Sequence, residues 1–387
     1  MINKQIVTTN IRKIDSIKVF GIILVLLLVL NLVINNKFIV WTISKEHFVE
    51  EEPKKEPKLI ELKRPFVNLY DDKGNQLNVA LLSRPFWLDS HYKDYEKMKS
   101  LFNILGISSY QEFPNEPFNP KDGFNKTTNK YDYDKWTNMC KGWLHCFRKP
   151  EEYLPTNMKS ILLSESDFTD TTINKPNKDV KKKYDFLYVC HRDDLSDCST
   201  KEWVAFNKNL ELAEKCLSIL CKKKKYKVLL IGRGGCKLPE PCENLQIEIT
   251  DKLDYYQLQK KYDESRFVFL PNIHDASPRV LVESMCHNLP VLINSKLVGG
   301  WKYVTPKSGE VFTDETDFEE KVDKIINNYD QYEPRKEYME KYGTIKSGKI
   351  LRDFIFDIFG DKVNIPKENI KYVTPEFKRI DFKEGPL

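Results

Sequence analysis

Short apolar runs punctuate the second half of the chain: YDFLYVC (184–190), KVLLIG (227–232), LQIEI (245–249), FVFLP (267–271) and VLIN (291–294). Between them lie WVAFNKNLELAEKCLSIL (203–220), LDYYQLQKKYDES (253–265) and a segment opening at Pro278, each with apolar positions at helical spacing. Unbroken apolar runs mark strands covered on both faces, and helices between them imply a parallel, doubly wound sheet. Ligands of such sheets bind at the carboxyl ends of the strands. Earlier in the chain, FVNLY, DDKGN and LNVALLS read as strand, turn and strand. Tyr95, Met98, Leu101, Phe102 and Leu105 predict a helix from His91 to Leu105. Gln111 to Lys135 has no clear period, Ser160–Leu163 reads as a short buried strand before the polar loop SESDFTD, and SGKILRDFIFDIFG (347–360) reads as a helix packing back across the domains.

The amino end breaks this pattern. VFGIILVLLLVLNLVI (19–34) has no polar face between Phe20 and Leu30 and spans about 24 Å as a helix. Extension to Trp41, with Lys37 snorkelling, brings it to the roughly 30 Å of a bilayer core. Lys4, Arg12, Lys13 and Lys18 precede the run and Glu46, Glu50, Glu51 and Glu52 follow it, which favours a cytoplasmic amino terminus. The run is long for a signal peptide and no small-x-small cleavage site follows. The expected order is a cytoplasmic tail (1–18), an anchor (19–41), a charged, proline-bearing stalk (42–65), a first domain (66–180), a second domain (181–345), and a crossover helix with tail (346–387).

Composition changes the picture little. Sixty-two Lys and Arg against 57 Asp and Glu give a net charge of +5, much of the excess in Lys181–Lys183 and Lys222–Lys225. These runs precede strands and read as solvated loops, not a nucleic-acid surface. Nine cysteines in an oxidising compartment could pair locally as Cys140/Cys146, Cys190/Cys198 and Cys236/Cys242, leaving Cys286 as a core thiol. None has zinc-site spacing. Asn125-Lys126-Thr127 is a lone glycosylation sequon.

The chemistry concentrates in HDASPRVLVESMCHNLP (274–290). Ser277 is a good N-cap, Pro278 suits the first helical position, Asn288 can take the left-handed closing position, and Pro290 stops the helix. Arg279, Glu283 and His287 fall on one side, where Arg279 and Glu283 could be no more than an exposed ion pair. The location argues for more. This helix starts at a strand's carboxyl end, where free amides and the positive dipole end meet phosphate, and Glu283 one turn on could accept from two ribose hydroxyls.

Asp275 to Glu283, followed by Ser284-Met285 and Pro290-Val291, resembles the Glu-x7-Glu signature of family 4 type retaining glycosyltransferases of the GT-B fold. The resemblance covers roughly 184–345 and implies two Rossmann-like domains facing across a cleft. It assigns Glu283 to the nucleotide ribose and Asp275, a methylene shorter than the family's usual Glu, to the transferred sugar. It places Lys208 and Arg192 against the donor diphosphate and Ser277, Pro278, Arg279 and Val280 at the donor-binding helix start. Gly232 and Gly234 resemble the family's glycine turn near the nucleotide, and Gly299 and Gly300 could allow close backbone approach to the donor.

The implied reaction moves a sugar from a nucleotide diphosphate such as a UDP- or GDP-sugar to an acceptor hydroxyl of a glycan, glycoprotein or glycolipid, with retention. It implies no cofactor and no metal, because lysine, arginine and amides supply the charge. Asp89, His91 and His145 are acceptor-side candidates in the first domain. With the anchor, this predicts a type II membrane protein with its catalytic domain in the lumen of the Golgi or endoplasmic reticulum. Two alternatives stay open: a metal-dependent GT-A transferase using Asp132-Tyr133-Asp134, and an anchored carbohydrate-binding or scaffold protein without turnover.

Overall fold

The computed structural model describes residues 60–364, apart from 72, 87, 116–132, 222–224 and 238–244, together with 370–372. The anchor, its cytoplasmic tail, most of the stalk, the Asn125 sequon, Asp132 and Cys242 lie outside the described residues. Among the described residues no helix is long and apolar enough to cross a membrane.

Two sheets organise the chain from Glu61 onward. The first contains β1 (Phe66–Asp71), β2 (Gln76–Leu82), β3 (Asn103–Ile107), β4 (Trp143–His145) and β5 (Ser160–Leu162), with α1 (Asp89–Met98) after β2 and α2 (Tyr133–Met139) before β4. Its strand order is β12-β1-β2-β3-β4-β5, where β12 is Ile370–Tyr372. β1 is antiparallel to both its neighbours, and β2 to β5 are parallel. The second sheet contains β6 (Tyr184–Val189), β7 (Tyr226–Ile231), β8 (Leu245–Thr250), β9 (Ser265–Leu270), β10 (Val291–Asn294) and β11 (Gly309–Phe312). All its pairings are parallel, in the order β11-β10-β9-β6-β7-β8. The helices are α3 (Trp203–Asn207), α4 (Leu210–Leu220), α5 (Tyr255–Glu264), α6 (Arg279–Cys286), α7 (Glu315–Asn327), α8 (Pro334–Lys341) and α9 (Thr344–Phe359).

The second sheet is buried on both faces, as its unbroken apolar runs require. Phe186, Tyr188, Phe267 and Phe269 pack with Leu210, Leu217 and Phe318 on one side, while Leu187, Val268 and Leu270 pack with Tyr262, Leu281 and Met285 on the other. Strand alternation sends neighbouring residues to opposite faces. On the first sheet, Val79, Leu81, Leu105 and Ile107 are covered by Leu351, Phe354 and Ile355 of α9, which returns after the second sheet. The opposite face packs on Phe86 and Trp136.

Several local expectations are corrected. The helix expected from His91 to Leu105 spans Asp89–Met98, and Asn103–Ile107 is β3. NILGI is an apolar run pairing in parallel with β2, and the helical spacing through Leu105 is fortuitous. Ser160–Leu162 is a strand, but at the sheet edge with Ser160 and Leu162 exposed. The stalk does not reach 65, because Leu62 joins the core beside Phe66 and Phe86. The helix expected over 203–220 breaks at Lys208 and Asn209, the latter left-handed at φ 54°. Cysteine pairing is not local. Cys198 bonds Cys236, Cys221 is disulfide-bonded too, and Cys140, Cys146, Cys190, Cys216 and Cys286 are free and buried. Cys140, Cys146 and Cys190 face apolar cores, whereas Cys198 and Cys236 sit on adjacent surface loops.

Candidate active site

The order of the second sheet reverses between β6 and β9, the first strand of each of its halves. Open parallel sheets take ligands at this crevice, outside the strands' carboxyl ends. β6 delivers Cys190, His191 and Arg192 there, and β9 delivers the loop from Pro271 to Ser277. The break between α3 and α4 brings in a third element. Tyr188 OH donates to the Lys208 carbonyl at 2.7 Å, and Asn209 Nδ2 donates to the Pro271 carbonyl at 2.9 Å. These bonds fix the break against both strands. Lys208 Nζ then lies 2.6 Å from Asp275 Oδ2, which also accepts from Asn272 Nδ2 at 3.0 Å. Two residues 67 positions apart in the chain thus form a partly exposed ion pair over the crevice.

Glu283 points inward from α6 and is 7% exposed. Tyr262 OH donates to its Oε2 at 3.0 Å. Burial raises the carboxyl's pKa, against the opposing influence of the Arg279 charge, the Tyr262 hydrogen bond and His287. Arg279 itself is exposed, so the surface ion pair with Glu283 is not what forms. Pro278, not Ser277, is the residue capping α6, and no side-chain bond caps it. The Ser277 hydroxyl is used across the molecule, where it accepts from the Ser166 amide at 2.9 Å and pairs with Ser166 Oγ at 2.9 Å. Val280 is half-buried beside the cluster under α6, and Asn288 closes the helix left-handed at φ 60°, as its place before Pro290 predicts.

The glycines mark close backbone approach. A Cβ at Gly299 would lie 1.7 Å from the Ala276 carbonyl oxygen, and the Gly299 amide donates to the Asp275 carbonyl at 2.9 Å. The Gly299 loop after β10 therefore braces the Asp275 loop, with Gly300 against Pro278. Gly232, at φ 99°, would place a Cβ 2.4 Å from His191 Cα. Gly234 lends its carbonyl to Arg192 NH2 at 2.6 Å. The Arg192 NH1 also binds the Leu195 carbonyl and Cys198 Sγ, so its two terminal nitrogens serve the disulfide-closed loop, and Lys208 is the cation set against Asp275.

Of the acceptor-side candidates, Asp89 is exposed at the start of α1 and His91 packs edge-on to Phe86 in its own lobe. His145, at the end of β4, is brought against the second lobe. Burial and the Lys302 ammonium push its pKa down to about 4, so it is neutral at neutral pH.

Sequence reading missed the groups that join the lobes. SESDFTD is not a plain polar loop: Glu165–Phe168 is a short 3-10 turn whose Asp167 is fully buried. Asp167 accepts from Lys302 Nζ at 2.6 Å, Tyr303 OH at 2.9 Å and the Ser164 amide at 2.6 Å. Trp301 Nε1 donates to the Cys146 carbonyl, and Arg148 donates to the Leu297 carbonyl, both at 2.9 Å. His274 Nδ1 and Glu112 Oε1 meet at 2.6 Å. A Ser with Asp three residues on was a visible capping signal in Ser164-x-x-Asp167, but nothing in the sequence pointed to Lys302 as its partner.

Residues 204–344 match the family described as glycosyl transferases group 1. The second lobe is a glycosyltransferase domain, and the chain a glycosyltransferase. Among solved structures it is similar to sucrose-phosphate synthase from Thermosynechococcus elongatus, with a TM-score of 0.53 and 12% identity over 72% of this chain and 73% of that one. It is also similar to TarM of S. aureus, with a TM-score of 0.50 and 15% identity over 68% of this chain and 52% of that one. At these identities the likeness is one of fold, two facing α/β lobes like those of GT-B glycosyltransferases. The glycosyltransferase spans about half of TarM's length. No curated protein matches it.

Proposed function

We propose that this glycosyltransferase moves a sugar from a nucleotide-diphosphate donor to an acceptor hydroxyl, with retention at the anomeric carbon. The observation that carries the reading is the meeting of Lys208 and Asp275 at the β6–β9 crevice, with Glu283 buried in the helix α6 that follows the Asp275 loop. Glu283 holds the ribose hydroxyls through Oε1 and Oε2, the latter braced by Tyr262. The donor's diphosphate draws Lys208 from Asp275 and lies along the start of α6, where amides and ammonium take up the charge that develops as the glycosidic bond breaks. Asp275, released from the ammonium, accepts from a hydroxyl of the transferred sugar. Because lysine and amides supply the positive charge, turnover should persist in the presence of a chelator.

The first lobe presents the acceptor, with His145 as a neutral hydrogen-bonding group at the cleft. The apolar segment 19–41 anchors the chain as a type II membrane protein with its catalytic lobes in the lumen of the Golgi or endoplasmic reticulum. The test of the chemistry is proton NMR of the product anomeric centre after incubation with UDP- and GDP-sugars. A configuration matching the donor is expected, and inversion contradicts the reading. For the anchor, sealed vesicles should protect the carboxyl half from added protease, and digestion from the cytoplasmic side rejects the orientation.

A further inference from the structure

A buried arginine braces the short helix that delivers Lys208. Arg233 is the second residue of the glycine turn Gly232-Arg233-Gly234-Gly235 after β7, and its side chain is 2% exposed. Gly232 takes φ 99°, a backbone open to glycine, which lets the turn carry Arg233 inward. Arg233 Nη2 donates to the carbonyls of Cys198 at 3.0 Å and Ser199 at 3.2 Å, both on the loop after β6. The Cys198–Cys236 disulfide ties that loop to the end of the glycine turn, where the Cys236 amide donates to the Arg233 carbonyl at 3.0 Å. Arg233 Nη1 makes no hydrogen bond among the described residues and stands 3.5 Å from Glu202 Oε2.

Glu202 is buried to the same degree and uses both of its oxygens. Oε1 accepts from the Val204 amide at 3.0 Å, and Oε2 accepts from the Ala205 amide at 2.9 Å. These amides open α3, a helix of five residues. So short a helix does not hold itself, and its geometry is set by what binds its ends. The Val204 carbonyl in turn accepts from the Lys208 amide at 2.8 Å. Glu202 therefore reaches Lys208 through a single residue, while Asn209 and Tyr188 hold the far end of α3. A carboxylate buried this deeply needs a counter-charge, and Arg233 supplies it.

We propose that Arg233 is a positioning residue, which keeps Glu202 as a doubly bonded cap on α3 and so sets where Lys208 stands against Asp275. The proposal rests on the glycosyl-transfer reading above and adds to it a residue that acts through Glu202 and α3. The sequence drew attention to the glycines of this turn, and the structure puts the weight on the arginine between them.

The test uses the full chain. Arg233→Met alone leaves Glu202 buried without its counter-charge, a change that can cost the fold itself, so the deciding protein is the double variant Arg233→Met, Glu202→Gln. There no charge is left alone, but the glutamine amide offers one oxygen where the carboxylate offers two. The double variant should unfold in urea close to wild type. Amide hydrogen exchange over 203–208 should nonetheless quicken about tenfold or more, the scale of a lost cap. With a working donor, kcat should fall about tenfold or more and the donor KM should change less, because a displaced Lys208 serves the developing charge poorly. Wild-type exchange over 203–208 in the double variant overturns the proposal. Faster exchange with an unchanged kcat also overturns it, since Arg233 would then be structural only, and so does a double variant far weaker in urea than wild type. If wild type releases no nucleotide from any donor, the glycosyl-transfer reading fails by itself, and exchange over 203–208, which needs no donor, decides whether Arg233 holds α3.

Discussion

Glu283 is the residue where stability and function should part. Its carboxyl is buried and its pKa raised chiefly by desolvation, so the folded state favours the protonated form. The stability this gives is fully present below the ordinary value of 4.5 and is lost as pH rises through the raised one. Above that raised value burial works against the ionised carboxylate. Glu283→Gln keeps an oxygen to accept from Tyr262 and removes that charge. It should raise Tm at pH 8 by roughly 2 °C or more, with the difference closing below pH 4.5. The same variant should weaken donor binding roughly ten- to a hundredfold, because it replaces charge-assisted bonds to the ribose. Thermal scans across pH and a donor KM measure both effects, and a Gln variant less stable at pH 8 than wild type contradicts the account. The residues that made Glu283 and Asp275 stand out were legible because they are local: nine positions of one loop and helix. Their partners were less so, since the ring of Tyr262 and the carboxylate of Asp167 gain their meaning only once distant segments meet.

At the scale of elements, the break between α3 and α4 turns an ordinary helical lysine into a site residue. The apolar period of 203–220 gave helix throughout, and it could not show the break, because Tyr188 on β6 and Pro271 just after β9, which fix it, belong to distant segments. Asn209 tolerates the left-handed backbone and supplies the bond to Pro271. Asn209→Ala should therefore lower stability by about 1–2 kcal/mol and reduce kcat about tenfold or more by letting Lys208 drift. Asn209→Gly, which keeps the backbone geometry without the side chain, should fall between the two. Urea unfolding with steady-state rates checks this ordering, and equal rates for all three proteins would remove the positioning role. The parallel strands were the most legible elements, because burial on both faces leaves an unbroken apolar run. The first lobe was the least so, since β3 imitated a helical spacing and the β5 edge offered only three residues.

Across the whole molecule, Asp167 and Lys302 form a buried ion pair between lobes, with Asp167 fully shielded. Removing one member leaves the other buried without its counter-charge, at a cost of about 3–5 kcal/mol. Lys302→Met should be destabilised to that extent in urea, while the double variant Asp167→Asn, Lys302→Met should recover most of the loss. Failure of the second change to recover stability would show that the two do not act as a pair. Such a contact keeps the first lobe, with His145, in register with Lys208, Asp275 and Glu283. The site's chemistry is accordingly a property of both lobes together. The most direct measurement of it is the initial rate of nucleoside diphosphate release from a panel of UDP- and GDP-sugars, for wild type, Lys208→Ala and Glu283→Ala. The account predicts release by wild type with at least one donor and a fall of about a hundredfold or more in each variant. Equal release by all three proteins, or none by wild type with any donor, would contradict it.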